Sequence, residues 1–236
     1  MGSYQSAGGP EAGAWSEVPT LLAAAHELKS PLVLIRQLSF QLDEHDQTAE
    51  RIRLTAERTL RLVEGITKVS RLEDTLFECE PIYMPALLED IAQEFDPLAK
   101  ALNQSIRIRT SAAQPIAVGN RVLLRAVMMG LCDNALTHND PSQPIELQSY
   151  RKMDRVIMGV RDYGPTTTNL AAIRRRLGKT PAPVENRPNS SGLGLMIAEQ
   201  FARHMESTLA LRRHRDQGAT FSLSLPASQQ LALIAL

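Results

Sequence analysis

An α+β fold, a helical hairpin followed by a sheet under helices, is predicted by three observations. Apolar residues recur at alternating spacings of three and four from Leu21 to Leu42 and again from Ile52 to Ile66, with one short polar break between the two runs. After about Thr75 that pattern gives way to short alternating segments interleaved with further helical ones. Residues 166–191 hold several prolines, Gly178 and the run Asn186–Ser191, which reads as a long loop around a short helix.

Bulk properties narrow the class. A chain of 236 residues with 43% hydrophobic content can bury a core and holds one to two domains. The 26 acidic and 26 basic residues cancel, so whole-chain charge gives no reason to expect nucleic acid or a membrane surface as partner. Cys79 and Cys132 stand in unrelated contexts without metal-ligand spacing, which favours a reduced, cytoplasmic setting over a disulfide or zinc site. The apolar runs fall short of the ~18 residues that would span a bilayer, and no signal-peptide pattern opens the chain. Residues 1–14 read as a flexible lead or cloning scar.

In order, the first helix carries Leu21, Ala25, Leu28, Leu32, Ile35, Leu38 and Leu42 on one stripe, and Asp43–Gln47 breaks it. The second carries Ile52, Ala56, Leu60, Val63 and Ile66 and ends near Leu72, so residues 15–75 form an antiparallel hairpin. A two-helix hairpin cannot bury its stripe alone. Two copies joined as a dimeric four-helix bundle would cover it, and packing against the chain's own second domain is the alternative that the pattern leaves open. The second domain, residues 76–226, reads as a helix from Pro85 to Leu102 with Pro97 inside, a strand at Ser105–Arg109, and a helix from Val122 to His138 capped by Asn120. Strands at Ile145–Leu147 and Val156–Val160 follow, then a helix from Gly192 to Met205. Leu209–Leu211 and Phe221–Leu225 close the domain as a hairpin about Gln217-Gly218, and residues 227–236 form a tail.

Chemistry concentrates in four blocks. In Ala25-His26-Glu27-Leu28-Lys29-Ser30-Pro31-Leu32, Ser30 lies one turn from His26 on the same helix face, and Glu27 can turn its carboxylate to the imidazole. That arrangement makes the ring a candidate nucleophile. Pro31 lacks the N–H that would bond the Glu27 carbonyl, which loosens the helix past the histidine. Leu131-Cys132-Asp133-Asn134-Ala135-Leu136-Thr137-His138 sets an amide inside an apolar helix, where its oxygen suits a hard cation such as Mg²⁺. Val160-Arg161-Asp162-Tyr163-Gly164-Pro165 offers an acceptor-only carboxylate, with Gly164 admitting close approach of the backbone. Ser191-Gly192-Leu193-Gly194-Leu195-Met196-Ile197 opens a helix whose free N–H groups favour phosphate.

The four blocks, in this order across residues 18–226, resemble the H, N, G1 and G2 boxes of sensor histidine kinases of two-component systems. The resemblance implies a dimerisation and histidine-phosphotransfer hairpin followed by an α/β-sandwich ATP-binding domain, with ATP and Mg²⁺ as cofactors. It implies autophosphorylation of His26, assisted by Glu27, then transfer to an aspartate of a response-regulator receiver, with phosphatase activity toward that regulator through Ser30. Nucleotide binding is expected from Asn134, which would also hold the metal, and from His138, Asp162, Gly164, Gly192, Leu193, Gly194 and Leu195. Residues 166–191 correspond to the ATP lid, where Arg174 and Lys179 are candidate phosphate contacts. A homodimer is expected, cytoplasmic in itself or as the cytoplasmic part of a membrane-bound sensor, with the upstream sensor absent from this chain.

Several positions depart from the family pattern. Gly130 stands for an asparagine, Thr137 for a lysine, Thr166 and Ser190 for glycines, and Ala219 for a threonine, although Thr220 lies beside it. These changes motivate an alternative expectation, a catalytically weak or inactive dimeric scaffold or phosphatase partner of a response regulator.

Overall fold

The computed structural model describes residues 18–42, 47–69, 78–111, 115–165, 193–215 and 217–228. Helices α1 (Val18–Ser39) and α2 (Gln47–Val69) pack as the predicted hairpin, and α1 continues through Pro31. Ala25, Ala49, Leu54, Ala56, Leu60 and Val63 are buried, whereas Leu28, Ile35, Leu38 and Leu42 of the α1 stripe remain exposed. The apolar stripe is thus only partly covered within one chain.

The rest is β1 (Glu80–Tyr83), α3 (Met84–Ala101), β2 (Ile106–Thr110), β3 (Ile116–Gly119), α4 (Arg121–His138), β4 (Ile145–Lys152), β5 (Arg155–Asp162), α5 (Leu193–His204), β6 (Ala210–Arg213) and β7 (Ala219–Pro226). Strands β2-β4-β5-β7-β6 make a five-stranded sheet, antiparallel except for the β2–β4 pair. That pair is parallel because β3 and α4 intervene and carry the chain back to the starting end, as a crossover connection must. Strands β1 and β3 form a separate antiparallel pair.

Alternation explains which face is covered. Leu147, Val160, Phe221 and Leu211 lie opposite one another across four strands and join the core with Leu88, Ile91, Phe95, Leu124, Met128 and Phe201 of the helices. Asn120 caps α4 as the sequence predicts, its side chain accepting from the Leu123 N–H at 2.9 Å. Strands β4 and β5 run longer than the sequence suggests, turning at Met153 with φ 56°. Ala227 and Ser228 still bond inward, to Asp154 and Ile116.

Candidate functional site

The first part of the site is a corner where the end of β5 meets the end of α4. Asp162 is buried, and its Oδ1 accepts from the Gly164 N–H at 3.2 Å. A Cβ at Gly164 would fall 1.5 Å from the His138 carbonyl oxygen, so only glycine lets the strand end close against the helix end. On the other side Gly218, at φ 79°, abuts the Asp162 carbonyl, where a Cβ would lie 2.0 Å away. Buried Asn139 locks the corner. Its Oδ1 accepts from the Tyr163 N–H at 2.9 Å, and its Nδ2 donates to the carbonyls of Gln143 (2.7 Å) and Asp140 (2.9 Å). Beside it the Arg161 guanidinium lies 4.3 Å from the centre of the Tyr163 ring. Burial, followed by the nearby Glu146 carboxylate, pushes the Tyr163 hydroxyl above its ordinary pKa.

The second part runs along α4, where Gly130, Asn134 and His138 recur every fourth residue on one face. Gly130 closes against α5: a Cβ there would sit 3.3 Å from the Gly194 carbonyl oxygen and 3.7 Å from the Ala198 Cβ. Leu195 is buried beside it. Asn134, one turn on, is half-buried. Among the described residues no cluster of three or more His, Cys, Asp or Glu could hold a metal ion. A Mg²⁺ ion, which takes few protein ligands and completes its shell with phosphate oxygens and water, nevertheless fits the single hard amide oxygen of Asn134.

The third part was not anticipated from sequence. Arg58 of α2 donates to Thr137 Oγ1 at 2.6 Å and to the Asp133 carbonyl at 3.1 Å, and its Nε lies 3.3 Å from Asp133 Oδ1. Arg61 lies 3.8 Å from the same carboxylate and 3.9 Å from Glu94. Burial nonetheless pushes the Asp133 carboxyl up to about 6, against the opposing pull of Arg61 and Arg58. Beside these groups a cavity of about 350 Å³ is bounded by Gly65 of α2, Met129 and Gly130 of α4, and Gly194, Ile197 and Phe201 of α5.

Of the sequence-predicted residues, the structure brings together Asp162, Gly164 and the backbone of His138. Asn134 and His138 share one helix, and Gly194 meets that helix at Gly130. Glu27 and Ser30 are exposed on α1. His26 and Leu193 belong to helices, but their side chains lie outside the described residues, as do Gly192, Arg174 and Lys179 altogether. Sequence reasoning missed Asn139, Asp133, Arg58 and Arg61. The last two, spaced by three beside the apolar positions 56, 60 and 63, carried the only local signal.

A helix-covered, largely antiparallel sheet thus sets a buried carboxylate cornered by glycines beside a helix that carries Gly194 in its first turn. Residues 119–229 match the family described as histidine kinase-, DNA gyrase B-, and HSP90-like ATPase. The chain is 28% identical over 224 residues to the sensor protein SphS of Synechococcus elongatus, covering 88% of this chain and 54% of that one. It is 29% identical over 191 residues to the sensor protein QseC of Escherichia coli, covering 76% and 41%. Among solved structures, full-length ShkA in complex with AMPPNP matches with TM-score 0.61 at 19% identity, covering 89% of this chain and 46% of that one. The histidine kinase AdeS of Acinetobacter baumannii matches with TM-score 0.58 at 18% identity, covering 86% and 98%. The chain as a whole is similar to sensor histidine kinases, with the match to the ATPase family confined to residues 119–229. It spans about half the length of the curated relatives it matches.

Proposed function

We propose that the chain is an ATP-dependent protein-histidine kinase core that phosphorylates His26 and passes the phosphoryl group to an aspartate of a response-regulator receiver. The observation that carries this reading is how the hairpin sits on the ATP-binding domain. The Lys29 ammonium lies 3.4 Å from the Glu64 carboxylate, so one turn back along α1, at His26, the antiparallel partner is near Thr67 of α2. Gly65, just before that level, packs on Ile197 of α5, where a Cβ would lie 3.2 Å from Cγ2. The hairpin therefore meets α5 one turn from Gly194, the residue that closes on Gly130, and His26 lies on the hairpin one turn from Lys29.

In this reading Asp162, an acceptor-only group, takes the adenine amine, and Gly164 lets the base lie against backbone. Gly192, Leu193, Gly194 and Leu195 hold the phosphates through backbone N–H groups, with His138, Arg174 and Lys179 as further phosphate contacts. Asn134 holds Mg²⁺, which when bound offsets charge on the phosphates. Glu27 orients the His26 imidazole and takes up its proton, and Ser30 positions water for dephosphorylating the receiver. Residues 15–75 form the histidine-bearing unit and 76–226 the nucleotide-binding unit. Exposed Leu28, Ile35, Leu38 and Leu42 pair two chains into a four-helix bundle.

A second reading, a scaffold or phosphatase that binds nucleotide poorly, draws support from Gly130 and Thr137. The first is closed against Gly194 and the second turned to Arg58. Radiolabelled ATP separates the two: the wild-type chain takes up acid-labile label and His26→Gln takes none while still binding nucleotide. Label retained in the variant overturns the assignment, and ATP binding absent at millimolar concentration favours the scaffold.

A further inference from the structure

We propose that Arg58 is a positioning residue for the phosphoryl transfer, registering the hairpin on the ATP-binding domain through the backbone and side chains of Asp133 and Thr137. This inference rests on the kinase reading above, which supplies the reaction that the register serves.

The geometry is specific. The Thr137 hydroxyl has one hydrogen, which it gives to the Asp133 carbonyl at 2.8 Å, so a lone pair is left to accept from Arg58 at 2.6 Å. The same guanidinium donates to the Asp133 carbonyl at 3.1 Å and faces its carboxylate at 3.3 Å. One planar group thus reads one turn of α4, a fit that an ammonium could not reproduce. Along α2 the next turns continue the contact. Arg61 faces Asp133 and Glu94 with its guanidinium 5.2 Å from the centre of the Phe95 ring, and Gly65 packs on Ile197. Three successive turns of α2 therefore meet α4, then α3 and α4, then α5.

At Arg58 and Arg61 the interface is polar and partly open to solvent. Its ion pairs to Asp133 are longer than hydrogen bonds, and the Arg58 and Arg61 side chains are 30% and 26% exposed. A cavity of about 350 Å³ adjoins it, and polar contacts of this kind hold domains that move against one another. Position 137 makes the assignment distinctive. A threonine there accepts from Arg58, whereas the lysine that the family pattern would put there places a second cation against the guanidinium.

Two readouts on the full chain test the idea. In a Cys79→Ser background, Gly65→Cys with Ile197→Cys reports docking by oxidant-induced crosslinking, because the isoleucine atoms that crowd Gly65 are removed as the sulfurs are introduced. Arg58→Ala is expected to reduce crosslinking and to slow His26 labelling at saturating ATP by about tenfold or more, with the Kd for ATP changed less than about twofold. Thr137→Lys is expected to reduce crosslinking likewise, and neither variant should lower the melting temperature of the nucleotide-binding domain. Arg58→Ala with crosslinking and labelling intact overturns the proposal, as does a wild-type pair that does not crosslink. Parallel loss of ATP affinity, thermal stability and labelling also overturns it, since that marks a structural role. If His26 takes no label in the wild type, the kinase reading fails by itself, and crosslinking alone then decides whether Arg58 sets the docking.

Discussion

Asp133 faces two arginines and still resists ionisation, because the cost of removing its carboxylate from water exceeds the attraction at 3.3 and 3.8 Å. The sign of the resulting pH dependence follows from the direction. With the carboxyl at 3.8 when unfolded and at about 6 when folded, the folded chain binds more protons between those values, so stability falls as pH rises from about 4 to about 6. At roughly 1.4 kcal/mol per pH unit, the loss is on the order of 3 kcal/mol and is complete above about pH 7. Asp133→Asn should lack this component, and urea denaturation at several pH values, wild type against variant, measures it. Curves that run parallel from pH 4 to 7 would refute the assignment. Gly164 makes a sterner demand. With the His138 carbonyl oxygen 1.5 Å from where a Cβ would stand, Gly164→Ala must open the junction of α4 and β5. A stability loss of about 2–4 kcal/mol and loss of ATP binding by calorimetry are expected.

At the scale of elements, buried Glu199 ties the end of α5 to the start of β6. Its Oε2 accepts from the Leu209 N–H at 2.9 Å, while Oε1 faces Arg203 at 3.5 Å. Glu199→Ala removes the carboxylate that accepts from the Leu209 N–H and should cost about 3 kcal/mol in denaturant titration, with Glu199→Gln costing clearly less. Equal effects of the two substitutions would show that volume, not hydrogen bonding, matters at this position. The helices were legible from periodicity because each carries apolar residues at helical spacing, and Asn120 was legible as a cap because capping is a local hydrogen bond. Strands β1 and β3 were not legible. Glu80–Tyr83 and Ile116–Gly119 are only four residues each, too short for alternation to stand out, and they pair with each other across more than thirty residues.

For the whole molecule, the exposed face of α1 sets the expected assembly. Leu28, Ile35 and Leu38 are 53%, 44% and 49% exposed on α1, apolar surface more often covered than left in water. The wild-type chain should sediment as a dimer. Ile35→Glu with Leu38→Glu should weaken that dimer by at least ~100-fold, given about 1.5–3 kcal/mol for each apolar side chain that a dimer buries. A monomeric wild type would remove the basis for the four-helix bundle.

The sequence by itself determined what rests on neighbours along the chain: the two hairpin helices, the Asn120 cap, and the pairing of Asp162 with a glycine two residues on. Local periods and local hydrogen bonds carry that information whatever the rest of the chain does. Only the tertiary structure decided which surfaces meet. The parallel pairing of β2 with β4, the Gly164 approach to His138, and the use of Gly130 and Thr137 for packing and docking depend on elements far apart in sequence. Arg58 shows why. On α2 alone it reads as one more solvated charge, and its role emerges only where a helix 75 residues later brings a carbonyl, a carboxylate and a hydroxyl within reach of one guanidinium.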